Sequence, residues 1–410
     1  VVEDNGYGSI RIDFTTLPLL KGRYTIGVLL FCENGLFLHD EADPVCTIDV
    51  NQTGVARGLV NLPHQWQTRG QQSKTSSASE ATAKIPLEPK SIKSNRWRVV
   101  DATKEHESKL LTLFKDSFGH STCADHWKWK YRFATSPGTI VLEGDRAVAF
   151  NGGMPRKACI QGVLETVVQM GDVMVTPDQR GILTRRGPFY LSVMNFFKTQ
   201  VGPQKNYSLA FGFPNARHAK LGVKQGLYCQ VDKIVQARWP ALASRSLRLG
   251  AKALTHSQLS LVNPLWELMK VDAQTLAICV RDAQWIEHRY FNKPNHNYFV
   301  LRVFHRITRQ TLGVIVLKPQ GDDGVEILDI IAPQQHFPNL INIAQMATHR
   351  MGQKWLFGWF SPQAISWSSA TNPIIEETDV VIPGSAVNDE EWALRVKERW
   401  WLMGGDTDFK

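Results

Sequence analysis

At 410 residues, with 43% apolar and 21% charged side chains, the chain suits two to three soluble globular domains, and its longest apolar runs, such as Tyr24 to Phe31, are far too short to span a bilayer. The six cysteines, Cys32, Cys46, Cys123, Cys159, Cys229 and Cys279, show no Cys-x-x-Cys spacing, which argues for reduced core thiols in a cytoplasmic protein and against a disulfide or zinc framework. The charge of +9 is uneven: residues 96–240 hold 21 Lys and Arg against 11 Asp and Glu, whereas residues 241–410 hold 17 of each, so the excess favours an anionic ligand or RNA, or serves solubility alone.

The N-terminus has neither an initiator Met nor a signal-peptide pattern and reads as an internal start, with part of the natural chain upstream. Residues 1–66 read as antiparallel strands: Ile10 to Phe14 alternate with period two, Thr25 to Phe31 form a strand, and Glu33-Asn34-Gly35 signals a hairpin turn. A short return strand runs from Leu36 to His39, and Cys46 to Val50 alternate again. The run from Leu17 to Tyr24, then Asn34-Gly35, His39-Asp40, Gly58-Leu59-Val60 and His64-Gln65-Trp66, resembles the second half of a jelly roll. That sandwich is the carbohydrate-binding domain at the C-terminus of O-antigen and capsule ABC-transporter ATPases. The resemblance implies a polysaccharide ligand, with His39 and Trp66 as candidate carbohydrate contacts; Trp66 as plain core packing is the alternative. Half a sandwich leaves open edges, so either a poorly packed lobe or completion by upstream residues is expected. Residues 67–95, rich in Ser, Thr, Lys, Gln and Pro, read as a disordered linker.

Folded structure resumes with a strand at Trp97–Val100, a helix over Lys104–Phe118 and strands at 138–142, 147–152 and 157–160. A further strand, Val167 to Val175, meets Pro177 and an Arg180-Gly181 turn; an apolar helix follows at Phe189 to Phe197, then a strand at Tyr207 to Phe211. A strand, a basic turn and a helix N-terminus can seat a phosphate, although most such units bind nothing. This order, with Gly212-Phe213-Pro214-Asn215 and Gly226-Leu227-Tyr228, resembles the GNAT superfamily of acyl-CoA N-acyltransferases over roughly 97–234. The resemblance implies acetyl-CoA or another acyl-CoA as substrate, and no metal. Pantetheine would lie along Val173, Met174 and Val175; the pyrophosphate would lie on Arg180, Gly181, Ile182, Leu183, Thr184, Arg185, Arg186 and Gly187; the splayed second strand would end near Asn215. Two features depart from the family. Leu183 and Arg185 stand at the turn's usual glycine positions, with Gly187 one candidate substitute, and Gly222 stands where a thiolate-protonating Tyr is common.

Residues 241–410 read as a second, degenerate copy. Trp285 to Phe291 with Pro294 mirror Trp127 to Phe133 with Pro137. A hairpin, the strand Glu326 to Ile331, a helix over 339–350 and a strand over 355–358 follow, but Ala332-Pro333 brings no basic turn. The ending, Trp400 to Asp408, resembles the close of tandem GNAT proteins in bacterial surface-polysaccharide clusters. The expected architecture is α+β or α/β: tandem GNAT-like mixed-sheet domains at 96–240 and 241–410 behind a β-sandwich fragment.

N-acyl transfer needs a neutral amine, a polarised thioester and an acid for the thiolate. Candidates are His218, Asp172 and Glu165 as base and Tyr228 as acid; His218 on a helix surface, Tyr228 as packing and Asn215 as a helix N-cap are the competing readings. Three functions are carried. The first is acyl-CoA-dependent N-acylation of an amino sugar of a surface polysaccharide or its nucleotide-linked precursor. The second is polysaccharide recognition with GNAT scaffolds, in company with an export ABC transporter. The third is aminoacyl transfer from tRNA. A cytoplasmic protein, free or peripheral at the inner membrane face and without DNA as a partner, fits all three.

Overall fold

The computed structural model describes residues 22–31, 38–50, 96–182, 184–295 and 297–410. The chain divides into two compact units, Val1–Ile92 and Lys93–Lys410. In the first unit, β1 (Gly22–Phe31) and β2 (Leu38–Val50) form an antiparallel ladder. The two segments expected separately at Leu36–His39 and Cys46–Val50 thus belong largely to one strand, with a register shift opposite Ile26 to Val28 absorbing the break. The turn at Glu33-Asn34-Gly35, Trp66, the side chain of His39 and the 67–95 linker lie outside the described residues.

The second unit begins with β3 (Arg98–Asp101), α1 (Glu107–Phe118), α2 (Ala124–Lys130), β4 (Gly138–Glu143), β5 (Arg146–Ile160) and β6 (Val163–Val175). It continues through α3 (Pro188–Gln200), β7 (Ala210–Phe211), α4 (Ala216–Lys224), β8 (Tyr228–Pro240), β9 (Leu249–Ala253), α5 (Val262–Asp272) and β10 (Ala277–Cys279). The rest comprises α6 (Ala283–Ile286), β11 (Phe299–His305), β12 (Thr311–Pro319), β13 (Val325–Ile331), α7 (Phe337–Arg350), β14 (Trp355–Phe360), α8 (Pro362–Ser366), β15 (Ile374–Ser385), α9 (Glu390–Leu394) and β16 (Trp400–Trp401).

Local sequence explains the elements nearest the site. Leu110, Leu113 and Ser117 bury one face of α1, and Gly119 ends the helix in the left-handed region at φ 74°. Pro188 opens α3 at its first turn, and Phe189, Ser192, Val193, Phe196 and Phe197 form its buried stripe. The strands expected at 147–152 and 157–160 are one continuous strand, β5, buried along most of its length.

Two mixed seven-stranded sheets result, one ordered β16-β10-β5-β4-β3 with β6 and β7 beyond β5, the other β15-β8-β14-β13-β12-β11-β9. The halves exchange strands. A boundary at 240 leaves β8 in the first copy, yet β8 pairs with β14 and β15 in the second sheet. In return, β10 pairs with β5 and β16 with β10 in the first. Parallel pairing in both sheets is brief: β6 meets β7 only at Val168 and Gln169, and β13 meets β14 only at Val325 and Glu326. Each sheet then splits open.

The segment after β16 fills the second split. Met403 bridges to Phe360, and Gly404 and Gly405 lie against Leu328 of β13. Asp406 pairs with Arg281, which also donates to Asp329 at 2.9 Å, and with Arg156 of β5 at 3.2 Å. Tyr290 donates its hydroxyl to Asp329 at 3.0 Å. All four charged groups are buried, so they hold the sheets in one register only while fully paired.

Candidate active site

Where β6 leaves β7 it carries an extra residue. Phe150 pairs with Met174 and Gly152 with Gly171, so three steps on β6 match two on β5, and Asp172 takes φ 48°. Such a bulge bends the strand and re-aims its backbone. Asp172 accepts from Lys130 Nζ at 2.6 Å and from Tyr131 Oη at 2.7 Å. Asp408, from the segment that crosses the second split, pairs with the same ammonium. Burial disfavours the Lys130 charge, but the two carboxylates outweigh it and raise the pKa.

The first split opens a cavity of about 720 Å³. Its walls are Met170 to Val173 on one strand and Ala210, Gly212, Phe213 and Pro214 on the other. Phe197 forms part of the wall, and Phe114, Phe118 and Trp127 make it largely apolar. Ser121, Thr122, Cys123, His126, Asp172 and Asp408 form a polar margin.

His218 and Tyr228 line the same cavity. Asn215 caps α4 by accepting the His218 N–H at 2.9 Å, which turns the helix so that the imidazole lies inward. The expected helix-surface position is therefore corrected: His218 is half-buried, edge-on to Phe189 and stacked on Tyr228. Its Nε2 lies 3.3 Å from the Tyr228 hydroxyl. Burial pushes the Tyr228 phenol up, so it stays protonated, and holds the His218 imidazole down at about 4, so it is neutral at pH 7. Gly222 is required by the close approach of Tyr228: a Cβ there would stand 2.0 Å from the Tyr228 ring. The ring occupies that space. Gly222→Ala is expected to displace Tyr228 and cost about 1–3 kcal/mol by overpacking, read as a lowered thermal midpoint.

The basic turn differs from a simple cradle. Arg180 donates to Val175 O at 3.1 Å and to Ser117 O, so its guanidinium faces the protein. The amides of Ile182 and Gly187 bond inside the turn at 3.1 and 2.9 Å, and Thr184 Oγ1 accepts from Arg186 N at 3.3 Å. Gly187 is required by close approach, since a Cβ would meet Ile182 O at 2.1 Å, whereas Gly181 stands in open space. Arg185 and Arg186 remain exposed, and Leu183 lies outside the described residues. Val173 lines the cavity, Met174 packs into the core beneath α1, and Val175 is half-buried. Glu165 is not in the cavity wall; it pairs with Arg395. Sequence reasoning missed Lys130, Tyr131, His126 and Asp408, although the repeated Trp127–Phe133 pattern already marked the stretch that carries the first two.

His288, buried with an unpartnered Nδ1, is likewise held down at about 4, by burial first and then by Arg132, Arg156 and Arg289. Unfolded imidazoles take up protons below about 6.5, whereas these two do so only near 4. Their contribution to stability is therefore complete above pH 6.5, declines as pH falls through that window and levels off below 4. Urea midpoints measured from pH 7.5 to 4.5 are expected to fall, and His288→Gln to flatten the decline.

No family model matches the chain, and no curated protein matches it. Solved structures do. One is an Enterococcus faecalis conserved protein of unknown function, described as a probable N-acyltransferase: 12% identity and a TM-score of 0.54, covering 70% of this chain and 72% of that one. A GCN5-related N-acetyltransferase from Anabaena variabilis gives 13% and 0.53, over 72% and 73% of the two chains. Another, from Kribbella flavida, gives 13% and 0.51, over 70% of each. The likeness is one of fold: the chain has the mixed α/β fold of GCN5-related N-acyltransferases. Among the described residues there is no cluster of metal-ligating side chains, and no helix is long and apolar enough to cross a membrane.

Proposed function

We propose that the chain transfers an acyl group from acyl-CoA, with acetyl-CoA as the reference donor, to an amine. The observation that carries this reading is the split between β6 and β7, with a bulge on one wall and the His218–Tyr228 pair on the other. Pantetheine lies along the open edge of Val173 to Val175, and the thioester carbonyl is polarised by a backbone N–H at the bulge. A neutral amine attacks the carbonyl carbon, forming C–N and breaking C–S. With its proton on Nε2, His218 donates to the Tyr228 oxygen and leaves the phenol proton for the departing sulfur. The phenolate then takes up the proton that the new ammonium sheds. Arg185 and Arg186 attract the pyrophosphate, while Arg180 shapes the turn that presents them.

The domains at 96–240 and 241–410 are read as two copies, the first catalytic and the second, its split filled by residues 402–408, a support. We infer an amino sugar of a bacterial surface polysaccharide, or its nucleotide-linked precursor, as acceptor. The tandem ending and the N-terminal jelly-roll resemblance support that choice, and the latter also suggests a polysaccharide ABC transporter as partner. The hydroxyl and carboxylate margin of the cavity suits a polyol amine. A scaffold reading draws on one observation, the turn amides already bonded internally. Thiol release from acetyl-CoA with glucosamine and UDP-linked amino sugars separates the two. Turnover that rises with amine concentration supports the enzyme; thiol release no faster than hydrolysis with every amine, despite bound acetyl-CoA, supports the scaffold.

A further inference from the structure

The far edge of the second sheet carries an uncompensated positive face. Three stretches meet there: residues 242–254 leading into β9, residues 299–310 across the β11–β12 turn, and residues 346–354 at the end of α7. Together they contain eight Lys and Arg and no Asp or Glu. Among the described residues, none of the eight takes part in an ion pair. The antiparallel pairing of β9 with β11 sets Lys252 opposite Arg302, a like-charge arrangement that costs stability. Lys252, Arg306 and Arg350 line one groove of about 300 Å³ over Phe304, Ile343 and Met346.

Two loops form the crest of this face, and they are tied together. Arg306 N donates to Arg248 O at 2.8 Å, and Arg306 Nε donates to Leu249 O at 2.8 Å and Ser246 O at 3.2 Å. On these loops Leu247 is 89% exposed and Ile307 is 84% exposed. Arg245 and Arg248 flank the first; Arg306 and Arg309 flank the second. A single exposed aliphatic side chain is ordinary, but two on lashed basic loops are a different matter. Single-stranded nucleic acid is held by aromatic stacking platforms, and this crest has aliphatic tips instead. Aliphatic tips ringed by arginine match a bilayer interface bearing anionic headgroups.

We propose that this edge docks on an anionic lipid bilayer, with Leu247 and Ile307 entering the interface and the surrounding arginines pairing with lipid phosphates. The surface is separate from the acyl-transfer cavity and does not depend on that reading.

The test is flotation of the full 410-residue chain with phosphatidylcholine vesicles and with equimolar phosphatidylcholine–phosphatidylglycerol vesicles, at low and high salt. Binding is expected only to the anionic vesicles and is expected to weaken with salt. Leu247→Ser with Ile307→Ser should lower the partition coefficient about tenfold or more. Arg248→Ala and Arg309→Ala should each lower it about fivefold. All four side chains are exposed, so the thermal midpoint should be unchanged, which confirms that the variants fold. No flotation with anionic vesicles overturns the proposal, as does flotation that the Leu247→Ser/Ile307→Ser variant retains in full. Poly(U) binding tighter than vesicle binding, and lost in the same arginine variants, would make the face a nucleic-acid surface instead.

Discussion

Tyr228→Phe is expected to lower kcat for acyl transfer by about 10²–10⁴-fold while leaving acetyl-CoA affinity within about twofold. In the proposed reaction the phenol delivers a proton to sulfur, and burial keeps it protonated across the neutral range. Phe retains the ring that stacks on His218 and covers Gly222, so packing is preserved and only the hydroxyl is lost. His218→Asn should reproduce part of the loss, because a donor to the phenolate disappears while the acid remains. Steady-state thiol release together with calorimetric Kd values checks both. Equal losses in kcat and acetyl-CoA affinity would show that the hydroxyl binds substrate rather than serving as the acid.

Arg281→Met is expected to destabilise the second unit by about 3–5 kcal/mol, the cost of leaving a buried charge unpaired. Its guanidinium is fully buried between Asp329 and Asp406, which are themselves about 1% exposed. Urea unfolding at pH 7 measures the loss. The penalty should shrink on acidification: burial raises the Asp329 pKa and Arg281 opposes that, so without the arginine the carboxyl takes up a proton sooner. Because Asp406 leads to Asp408 and Phe409, the variant should also disturb the cavity wall. A penalty below 1 kcal/mol would mean that the network is readily hydrated.

Elements with strong local signals were legible in the sequence. The apolar stripe of α3, the α1 face and the order of strand, basic turn and helix all follow from short-range patterning. The exchange of strands was not. β8 is buried on both faces for most of its length, so its alternation does not say which sheet it joins, and chain order alone gives no sign of the exchange across 240. Trp400-Trp401 gave a similarly weak signal, since two tryptophans mark a core without marking whose core.

The site was legible in outline. A split strand pair is what the resemblance implies, but the partners of Asp172 depend on contacts distant in sequence. Lys130 stands 42 residues from it. Asp408 reaches the same ammonium from near the last described residue. Arg180 was assigned to phosphate from its place in the turn; the carbonyls of Val175 and Ser117 claim it, and only the folded backbone could reveal that competition.

The most direct test of the account is calorimetric titration of acetyl-CoA into the full chain and into an Arg185→Ala/Arg186→Ala variant. The account predicts one molecule bound per chain in the micromolar range, since the β13–β14 split is already filled. It predicts a loss of about a hundredfold or more in the double variant, each charge-assisted phosphate contact contributing about 1.5–3 kcal/mol. No binding at millimolar acetyl-CoA, or two molecules bound per chain, would contradict it.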